Sequence, residues 1–253
     1  MNIDELAHRI AAAKPITSLH VGNDHWPEVD CDGAIFDDCL FEAVQFSYPS
    51  FADARFTNCR FDSCRVSHAA LKGAVFETCQ FTGDGGKGCT FAFSDLQRAR
   101  FSRCDLALAT FERSELFAVE MDECNLTGVR FNKVDFSRAL SRKQIETRAS
   151  FHNCKMDLAD LAETKLPTCS LAGSRLREAD LSSADLTDAD LTNCDLFQTN
   201  LHGATLAGAD LTGAEVSGLN LLTLADFKGV RVTDEQVFRL LDAMGVDVRT
   251  RQR

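Results

Sequence analysis

The sequence lacks several features that would identify a common class of protein at once. No apolar run approaches the roughly 20 residues needed to cross a bilayer, and the N-terminus lacks the charged-then-apolar pattern of a signal peptide. A net charge of −11 and a pI near 5.0 speak against direct binding to nucleic acid, which requires a basic surface. These absences predict a cytoplasmic protein that enters no membrane and contacts no nucleic acid directly.

Signatures of catalysis and of metal binding are missing as well. The six histidines are dispersed, and the spacing predicts neither a Ser–His–Asp set nor a pair of catalytic carboxylates. None of the eleven cysteines forms a CxxC pair. The glycine-rich stretch 82–89 lacks the Lys-Ser/Thr ending of a phosphate-binding loop. We therefore expect a protein that is not an enzyme, uses no cofactor or metal, and acts by binding.

What the sequence does contain is a repeat of five residues. In 184–196 a small residue, a polar residue and leucine recur, followed by two variable residues. With the apolar position called i, the register runs from Phe36 to Leu221 with two interruptions. A period of five fits neither a helix nor a straight alternating strand. A chain that turns a corner after each unit resolves the conflict, which predicts a solenoid whose coils contact only their neighbours.

The positions inside the solenoid also follow from the repeat. Position i is mostly Phe from 36 to 111 and Leu from 161 to 211, so we expect the first half to be packed differently. Position i−2 is small, and ten cysteines occupy it as small buried hydrophobes. They are Cys39, Cys59, Cys64, Cys79, Cys89, Cys104, Cys124, Cys154, Cys169 and Cys194. Whether Trp26 and Cys31 belong to the first coil stays open.

This pattern resembles the pentapeptide-repeat family, whose consensus is Ala(Cys)-Asp/Asn-Leu/Phe-x-x, over about residues 31–232. The resemblance implies an all-β solenoid, a right-handed quadrilateral β-helix with one repeat on each of four sides. We expect an N-terminal capping helix in 1–15 and the β-helix in 16–232, with loops at 82–90 and 137–150. Residues 233–253 then provide a C-terminal helix, a dimerisation module and the basic tail from Arg249 to Arg253.

The C-terminal helix carries its own signals. Thr233 to Gln236 form a capping box, and one face of the helix is more apolar than an end cap requires. That face predicts a self-complementary dimer contact. Its residues are Val237, Phe238, Leu240, Leu241 and Met244.

Acidic residues are concentrated in the last coils. From Glu178 to Asp226 there are nine acids and no Lys or Arg, over roughly 12 Å of rod at ~4.8 Å per coil. Duplex DNA has about seven charges over that length, so the segment is a candidate acidic patch. The candidate acidic face comprises Asp180, Asp185, Asp188, Asp190, Asp195, Asp210 and Glu215. The alternative is that these charges are spread over all four sides, because Asp at i−1 is the family consensus.

Three segments resemble one branch of the family, the Qnr- and MfpA-type quinolone-resistance proteins. Residues 229–248 are similar to the C-terminal dimerisation module of that branch, 86–91 to the end of its first loop, and 138–151 to its second loop. The resemblance implies a homodimeric rod that imitates DNA, binds DNA gyrase or topoisomerase IV, and protects it from quinolone- or albicidin-type poisons. It also implies partner contacts in the two loops. The candidates there are Asp84, Lys87, Ser141, Arg142, Lys143, Gln144, Ile145 and Arg148.

Another reading remains open. Other pentapeptide-repeat proteins are scaffolds or effector modules, and this chain could bind a protein unrelated to DNA enzymes. That hypothesis predicts acids scattered over four sides.

Overall fold

The structure, a computed structural model, describes residues 3–12, 14–22, 25–26, 29–83, 85–141 and 144–247. Two helices, α1 (Ile3–Ala11) and α2 (Asp234–Ala243), flank a long run of very short strands. The strands are β1 Ile16–Thr17, β2 His20–Gly22, β3 Ile35–Asp37, β4 Leu40–Glu42, β5 Gln45–Ser47, β6 Arg55–Thr57, β7 Arg60–Asp62, β8 Arg65–Ser67, β9 Val75–Glu77, β10 Thr90–Ala92, β11 Arg100–Ser102, β12 Thr110–Glu112, β13 Val119–Asp122, β14 Arg130–Asn132, β15 Ser137–Ser141, β16 Gln144–Thr147 and β17 Ala149–His152.

The chain winds as a right-handed quadrilateral β-helix, as the sequence predicts. Face 1 is the parallel sheet β1-β3-β6-β9-β11-β13-β17, face 2 begins with β2-β4-β7, and face 3 is β5-β8-β10-β12-β14. Face 4 is held by single parallel bridges, beginning with Asp30 to Ser50 and Ser50 to Ala70. Partners on one face are 20 residues apart where no loop intervenes, which is four repeats per coil.

Position i fills the interior. Phe rings from successive coils of face 1 lie parallel, with centroids 4.8 Å apart for Phe36 and Phe56 and 4.7 Å for Phe76 and Phe101. The space between these rings is about 10 Å³, room for at most one water molecule. All eleven cysteines are free and buried, and the ten at i−2 line the wall. The interior is therefore a packed core and provides no ligand channel.

Each corner requires a special backbone conformation. The residue at i+2 has a positive φ at most corners, as at Asp53 (55°) and Asn193 (57°). Asp and Asn tolerate this left-handed conformation better than most side chains. The turn thus fixes the backbone conformation at i+2, where Tyr48, Phe93 and Leu108 adopt it as well, whereas i−1 and i+1 point outward.

The first coil and its cap are part of the same core. Leu6 of α1 is buried in the core, and Ile10 packs against it. Trp26 contacts the rings of the coil above, at 5.3 Å from Phe46, and Cys31 is fully buried at an i position. Both residues left open by the sequence therefore belong to the first coil. None of the helices in the described ranges is long and apolar enough to cross a membrane.

The repeat shifts by one residue near its end. A 3₁₀ turn at Leu221–Thr223 adds one residue to the last coil, so Leu206 N–H bonds to Asp226 O rather than to residue 225. The i positions after the turn are consequently Phe227 and Val232. The predicted register ends at Leu221, and the residues after the turn are displaced from it by one, because the extra residue lies in a turn that the five-residue pattern does not encode.

Candidate functional site

Loop 1, the segment between Phe81 and Phe91, contains a five-residue insertion at the corner between faces 2 and 3. Phe81 and Phe91 are ten residues apart but occupy adjacent faces, and β10 already begins at Thr90. The loop closes through an antiparallel bridge between Thr82 and Gly88. A Cβ on Gly88 would lie 2.2 Å from the backbone of Leu108, so only glycine lets the loop return to the rod.

Loop 2 is a ten-residue insertion at the corner between faces 4 and 1, diagonally opposite loop 1. It is an antiparallel hairpin of β15 and β16, and its outer side exposes Leu140 and, at 72% exposure, Ile145. Loop 1 leaves the fourth coil and loop 2 the sixth, roughly 10 Å apart along the axis at ~4.8 Å per coil. The two loops therefore project from opposite sides of the rod and do not form one continuous site.

The hairpin of loop 2 is clamped onto face 4 by Arg138. The guanidinium lies 4.4 Å above the ring of Phe117 and donates two hydrogen bonds to one carboxylate oxygen of Glu146, at 3.1 and 2.9 Å. Phe117 occupies an outward i+1 position yet is only 3% exposed. The base of the hairpin is fixed as well, because Ala118 N–H donates to Arg148 O. The hairpin thus projects from the rod but is held in place by a brace, which consists of Arg138, Phe117 and Glu146.

The predicted loop contacts fall mostly on exposed positions. Lys87, Ser141, Gln144, Ile145 and Arg148 are exposed. Asp84, Arg142 and Lys143 lie outside the described residues, as does the basic tail. Sequence reasoning missed the bracing residues, although an aromatic residue at an outward position, as at Phe117, is the signal that would have found one of them.

The seven predicted acidic residues do not share a face. Asp190 and Asp210 lie on face 1, Asp195 and Glu215 on face 2, and Asp180 on face 3. The remaining two are on face 4 (Asp185) and at the corner between faces 4 and 1 (Asp188). The alternative of acids spread over four sides describes this segment.

Most of these carboxylates are already engaged. Six of the seven accept a hydrogen bond from the backbone N–H two residues on, which stabilises the turn. Although the segment itself has no Lys or Arg, arginines from outside it reach in: Arg177 pairs with Asp195 at 2.5 Å, Arg231 with Asp210 at 3.1 Å, and Arg239 with Glu215 at 2.7 Å.

The pKa values of three carboxyls reflect these bonds. Burial by itself raises the pKa of Asp190, but hydrogen bonds from Thr192 and Ser170 outweigh it and lower the pKa below its usual range. Hydrogen bonds from Thr212 lower the pKa of Asp210, and Arg231 adds to the effect. Glu215 behaves likewise, with hydrogen bonds from Ser217 as the main cause. The same hydrogen bonds that stabilise the turns therefore favour the ionised form of these three carboxyls.

A row of acids without ion pairs to described residues lies elsewhere, at position i−1 of face 4; Asp95 and Asp135 accept turn hydrogen bonds like the other acids, and Glu115 accepts one from the Gln97 amide. Asp95, Glu115 and Asp135 are paired on successive coils, about 4.8 Å apart, and none forms an ion pair with a described residue. Across the whole face the i−1 row holds six acids, those three with Asp30, Asp185 and Asp226, against one lysine, Lys165. The i−1 rows of faces 1, 2 and 3 contain as many cations as acids.

Sequence reasoning missed this row because its members are about 20 residues apart. Reading every fourth repeat, with five residues added for loop 1 and ten for loop 2, would have revealed it. Face 4 therefore has the most acidic i−1 row of the four faces, although Lys72 and Lys228 occupy two of its i+1 positions, and the hairpin of loop 2 borders it.

A Ser–His–Asp group on face 1 has the wrong connections for catalysis. His152 Nε2 lies 2.9 Å from Ser170 Oγ, and that hydroxyl donates to Asp190 Oδ2 at 3.2 Å. In a catalytic triad the imidazole accepts the serine proton and the carboxylate orients the imidazole. Here the carboxylate itself accepts the hydrogen bond from the serine hydroxyl, so the three groups are not connected in the order of a triad. Within the described part of the chain, no three His, Cys, Asp or Glu side chains are grouped to hold a metal ion.

Helix α2 closes the end of the rod. The Gln236 amide donates to Leu211 O at 2.6 Å and to Ala214 O at 2.8 Å, which satisfies two carbonyls of the open end. Leu240 is buried in this chain's own core, so it is not available for a dimer contact. Of the other four predicted dimer residues, Val237 and Phe238 are exposed, and Leu241 and Met244 are half-buried.

This geometry defines a class: a parallel β-solenoid whose interior is filled by its own side chains. The family model for the pentapeptide repeat region matches residues 34–111 and 145–221, more than half of the chain. The chain belongs to the pentapeptide-repeat family.

Solved structures of QnrB1, described as a plasmid-mediated fluoroquinolone resistance protein, share this fold. A trypsin-treated variant matches with a TM-score of 0.74 and 23% identity, covering 93% of this chain and 100% of that one. Full-length QnrB1 matches with a TM-score of 0.65 and 24% identity, covering 92% and 100%. None of the curated protein sequences compared with the chain matches it significantly.

Proposed function

We propose that this protein is a DNA mimic that binds DNA gyrase or topoisomerase IV and protects it from quinolone- or albicidin-type poisons. The observation that carries the proposal is the row Asp95, Glu115 and Asp135 on face 4, whose charges repeat at a fixed spacing along a rigid support. The fold shared with QnrB1, a protein described as conferring fluoroquinolone resistance, supports the same function.

The mechanism is binding without chemistry. A groove that holds duplex DNA is lined with cations, which an ordered acidic surface attracts in place of phosphates. Loop 2 then contacts the enzyme beside that groove through Ile145 and the neighbouring exposed residues, while loop 1 contacts it from the opposite side. When the enzyme is bound in this way, release or religation of the DNA is favoured over the drug-trapped cleaved complex. Action on a DNA enzyme places the protein in the cytoplasm.

A homodimer through the C-terminal helix is part of this proposal. Val237 and Phe238 expose apolar surface at the end of the rod, and a second copy related by two-fold symmetry would cover it. Such a dimer doubles the length of the rod, which suits a duplex-binding groove that is itself two-fold symmetric. Leu240 holds the helix on the rod instead of contacting the partner.

Gyrase supercoiling and cleavage assays with a quinolone or with albicidin test the proposal. Increasing amounts of the protein are expected to restore supercoiling and reduce trapped cleavage. Deletion of 139–148 is the most informative variant. It restores a five-residue spacing between Phe136 and Phe151, and so removes the hairpin without changing the rod. The corresponding deletion for loop 1 is 83–87. We expect the first deletion to abolish rescue; inhibition by the intact protein without rescue would refute the protective role.

A second candidate, a scaffold for an unrelated protein, is favoured by two observations: the seven predicted acidic residues are spread over all four sides, as this hypothesis predicts, and one corner exposes an aromatic ridge. On the corner between faces 3 and 4, the rings of Tyr48 and His68 stack at 4.6 Å and those of His68 and Phe93 at 5.1 Å. Tyr48 is 73% exposed, and DNA mimicry does not require such a ridge. If Tyr48→Ala abolished the capture of a protein other than a topoisomerase from the source cells, the scaffold function would be favoured; unchanged gyrase protection by that variant is expected under the first proposal.

A further inference from the structure

One corner of the rod contains a column of thiols. At the corner between faces 1 and 2, position i−2 is cysteine on six successive coils, and every one of these side chains is at most 2% exposed. This thiol column consists of Cys39, Cys59, Cys79, Cys104, Cys124 and Cys154. At the next corner Cys64 and Cys89 form a shorter pair on adjacent coils. Neighbouring sulfurs are separated by about one coil, ~4.8 Å.

Two thiols of the column contact carbonyls that already have a backbone donor. The Cys59 thiol donates to Thr57 O at 3.3 Å, but Asp38 N–H already donates to the same oxygen at 3.0 Å. The Cys124 thiol and Arg103 N–H share Asp122 O in the same way. Loss of these two thiol protons therefore leaves Thr57 O and Asp122 O with a donor.

We propose that adjacent sulfurs of the thiol column, and the pair Cys64 and Cys89, bind soft divalent metal ions of the mercuric type, each ion held linearly between two thiolates. The reaction is Hg²⁺ + 2 RSH → RS–Hg–SR + 2 H⁺, with no oxidant or reductant. The product is neutral, which matters because a net charge in this buried wall would be costly. Soft thiolate ligands select such ions over the hard cations that carboxylates bind.

The geometry favours an ion over a disulfide. In-register neighbours on parallel coils point their side chains the same way, so their Cβ atoms stay about 4.8 Å apart. A disulfide needs about 3.8 Å, whereas a linear sulfur–metal–sulfur bridge is longer and spans the coil spacing.

The chain includes its own control. Cys31, Cys169 and Cys194 have no cysteine on the adjacent coil at the same corner, and burial raises the pKa of each to about 12. These solitary thiols offer one sulfur per site and are expected to lose a mercuric ion readily to a competing thiol. Paired sulfurs hold it longer, because the second sulfur is already in place at a high effective concentration.

Titration of the intact protein with mercuric chloride, followed by excess free cysteine and native mass spectrometry, tests the proposal. Three pairs in the column and the pair Cys64 with Cys89 predict retention of about four ions and release of two protons per ion. Uptake is expected to be slow, since it requires local opening of the wall. Cys104→Ala is expected to lose one retained ion, while Cys169→Ala loses none; Ala occupies i−2 at many other coils, so both are expected to fold.

Retention of no ions after the cysteine challenge would overturn the proposal. So would an equal count in Cys104→Ala and the intact protein, or ion uptake accompanied by loss of the far-ultraviolet circular dichroism, which would mean that only unfolded chains bind. Cys104→Ser provides a second variant with the same expected loss, since Ser114 and Ser174 already occupy i−2 in this rod.

Discussion

The coils from Phe36 to Phe136 and those from Phe151 to Val216 follow one five-residue rule but are built differently. In the first region, the Phe half, faces 1 and 3 are three-residue strands around stacked rings. In the second, the Leu half, β17 is followed by single bridges around Leu side chains. Both loops begin within the Phe half, loop 2 at its last residue. The expected difference in packing is thus seen, and the irregular, projecting features accompany the ring-stacked region.

The comparison also separates two kinds of acidic residue. The Leu half contains the densest acids in the sequence, but turn hydrogen bonds and arginines engage most of them. The Phe half contains more acids in total, spread over a longer stretch of chain, and three of them, Asp95, Glu115 and Asp135, lie in line on one face without ion pairs to described residues. Acid density along the chain is therefore a poor guide to the charged surface of a solenoid; alignment across coils decides it.

The largest effect is expected in the interior of the Phe half. Phe111→Ala removes a ring stacked 5.0 Å from Phe91 and 5.3 Å from Phe131, and the rod cannot collapse around the gap. We expect a loss of about 3–5 kcal/mol in the free energy of unfolding, measured by urea denaturation. Phe93→Ala, at an exposed corner, is the control and should cost about 1 kcal/mol or less. Equal losses in the two variants would contradict the packed-ring interior.

The second prediction contrasts the acids of the two halves. The triple variant D95N/E115Q/D135N removes the row on face 4, and we expect it to weaken gyrase binding by about tenfold. The matched control D180N/D190N/D195N removes as many charges from the Leu half, at residues that lie on faces 3, 1 and 2 and outside the row on face 4. We expect it to change gyrase affinity much less; a larger loss in the control would mean that face 4 is not the binding surface.

A smaller effect is expected at the brace of loop 2. Arg138→Ala removes the contact with the buried Phe117 ring and the partly exposed ion pair with Glu146, so we expect stability to fall by about 1 kcal/mol. Protection of gyrase should nevertheless fall several-fold, because the hairpin loses its fixed orientation. Arg138→Lys retains the charge but not the planar stacking, so its protection of gyrase is expected to lie between that of the intact protein and that of Arg138→Ala. Full protection by Arg138→Ala would show that the brace is not needed.

The smallest effect concerns pH and the Leu half. The folded-state pKa of Asp190 lies below its unfolded value, so its contribution to stability is present above about pH 4 and is lost as the pH falls through the folded pKa. Asp190→Asn should therefore lower stability slightly at neutral pH and reduce its loss in acid. Thermal melts at pH 7 and pH 3 measure this, and an unchanged pH dependence would contradict it.

The sequence predicts the interior far better than the surface. Positions i and i−2 face a space so narrow that each accepts few residue types. The repeat, the burial of the cysteines and the number of coils can therefore be predicted from the sequence. The extra residue at Leu221–Thr223 and the brace at Phe117 were not predictable, because they depend on turns and contacts between segments that no short pattern relates. The acidic row on face 4 could be recognised only once the number of residues in each coil, including the two loops, was known.

Competition with DNA tests the central claim most directly. The binding of a labelled 150-base-pair duplex to gyrase would be measured at several concentrations of this protein and at several salt concentrations. If the rod imitates DNA, it displaces the duplex competitively, and its affinity falls steeply as salt rises, as for DNA itself. Simultaneous binding of duplex and protein, or an affinity independent of salt, would contradict the account.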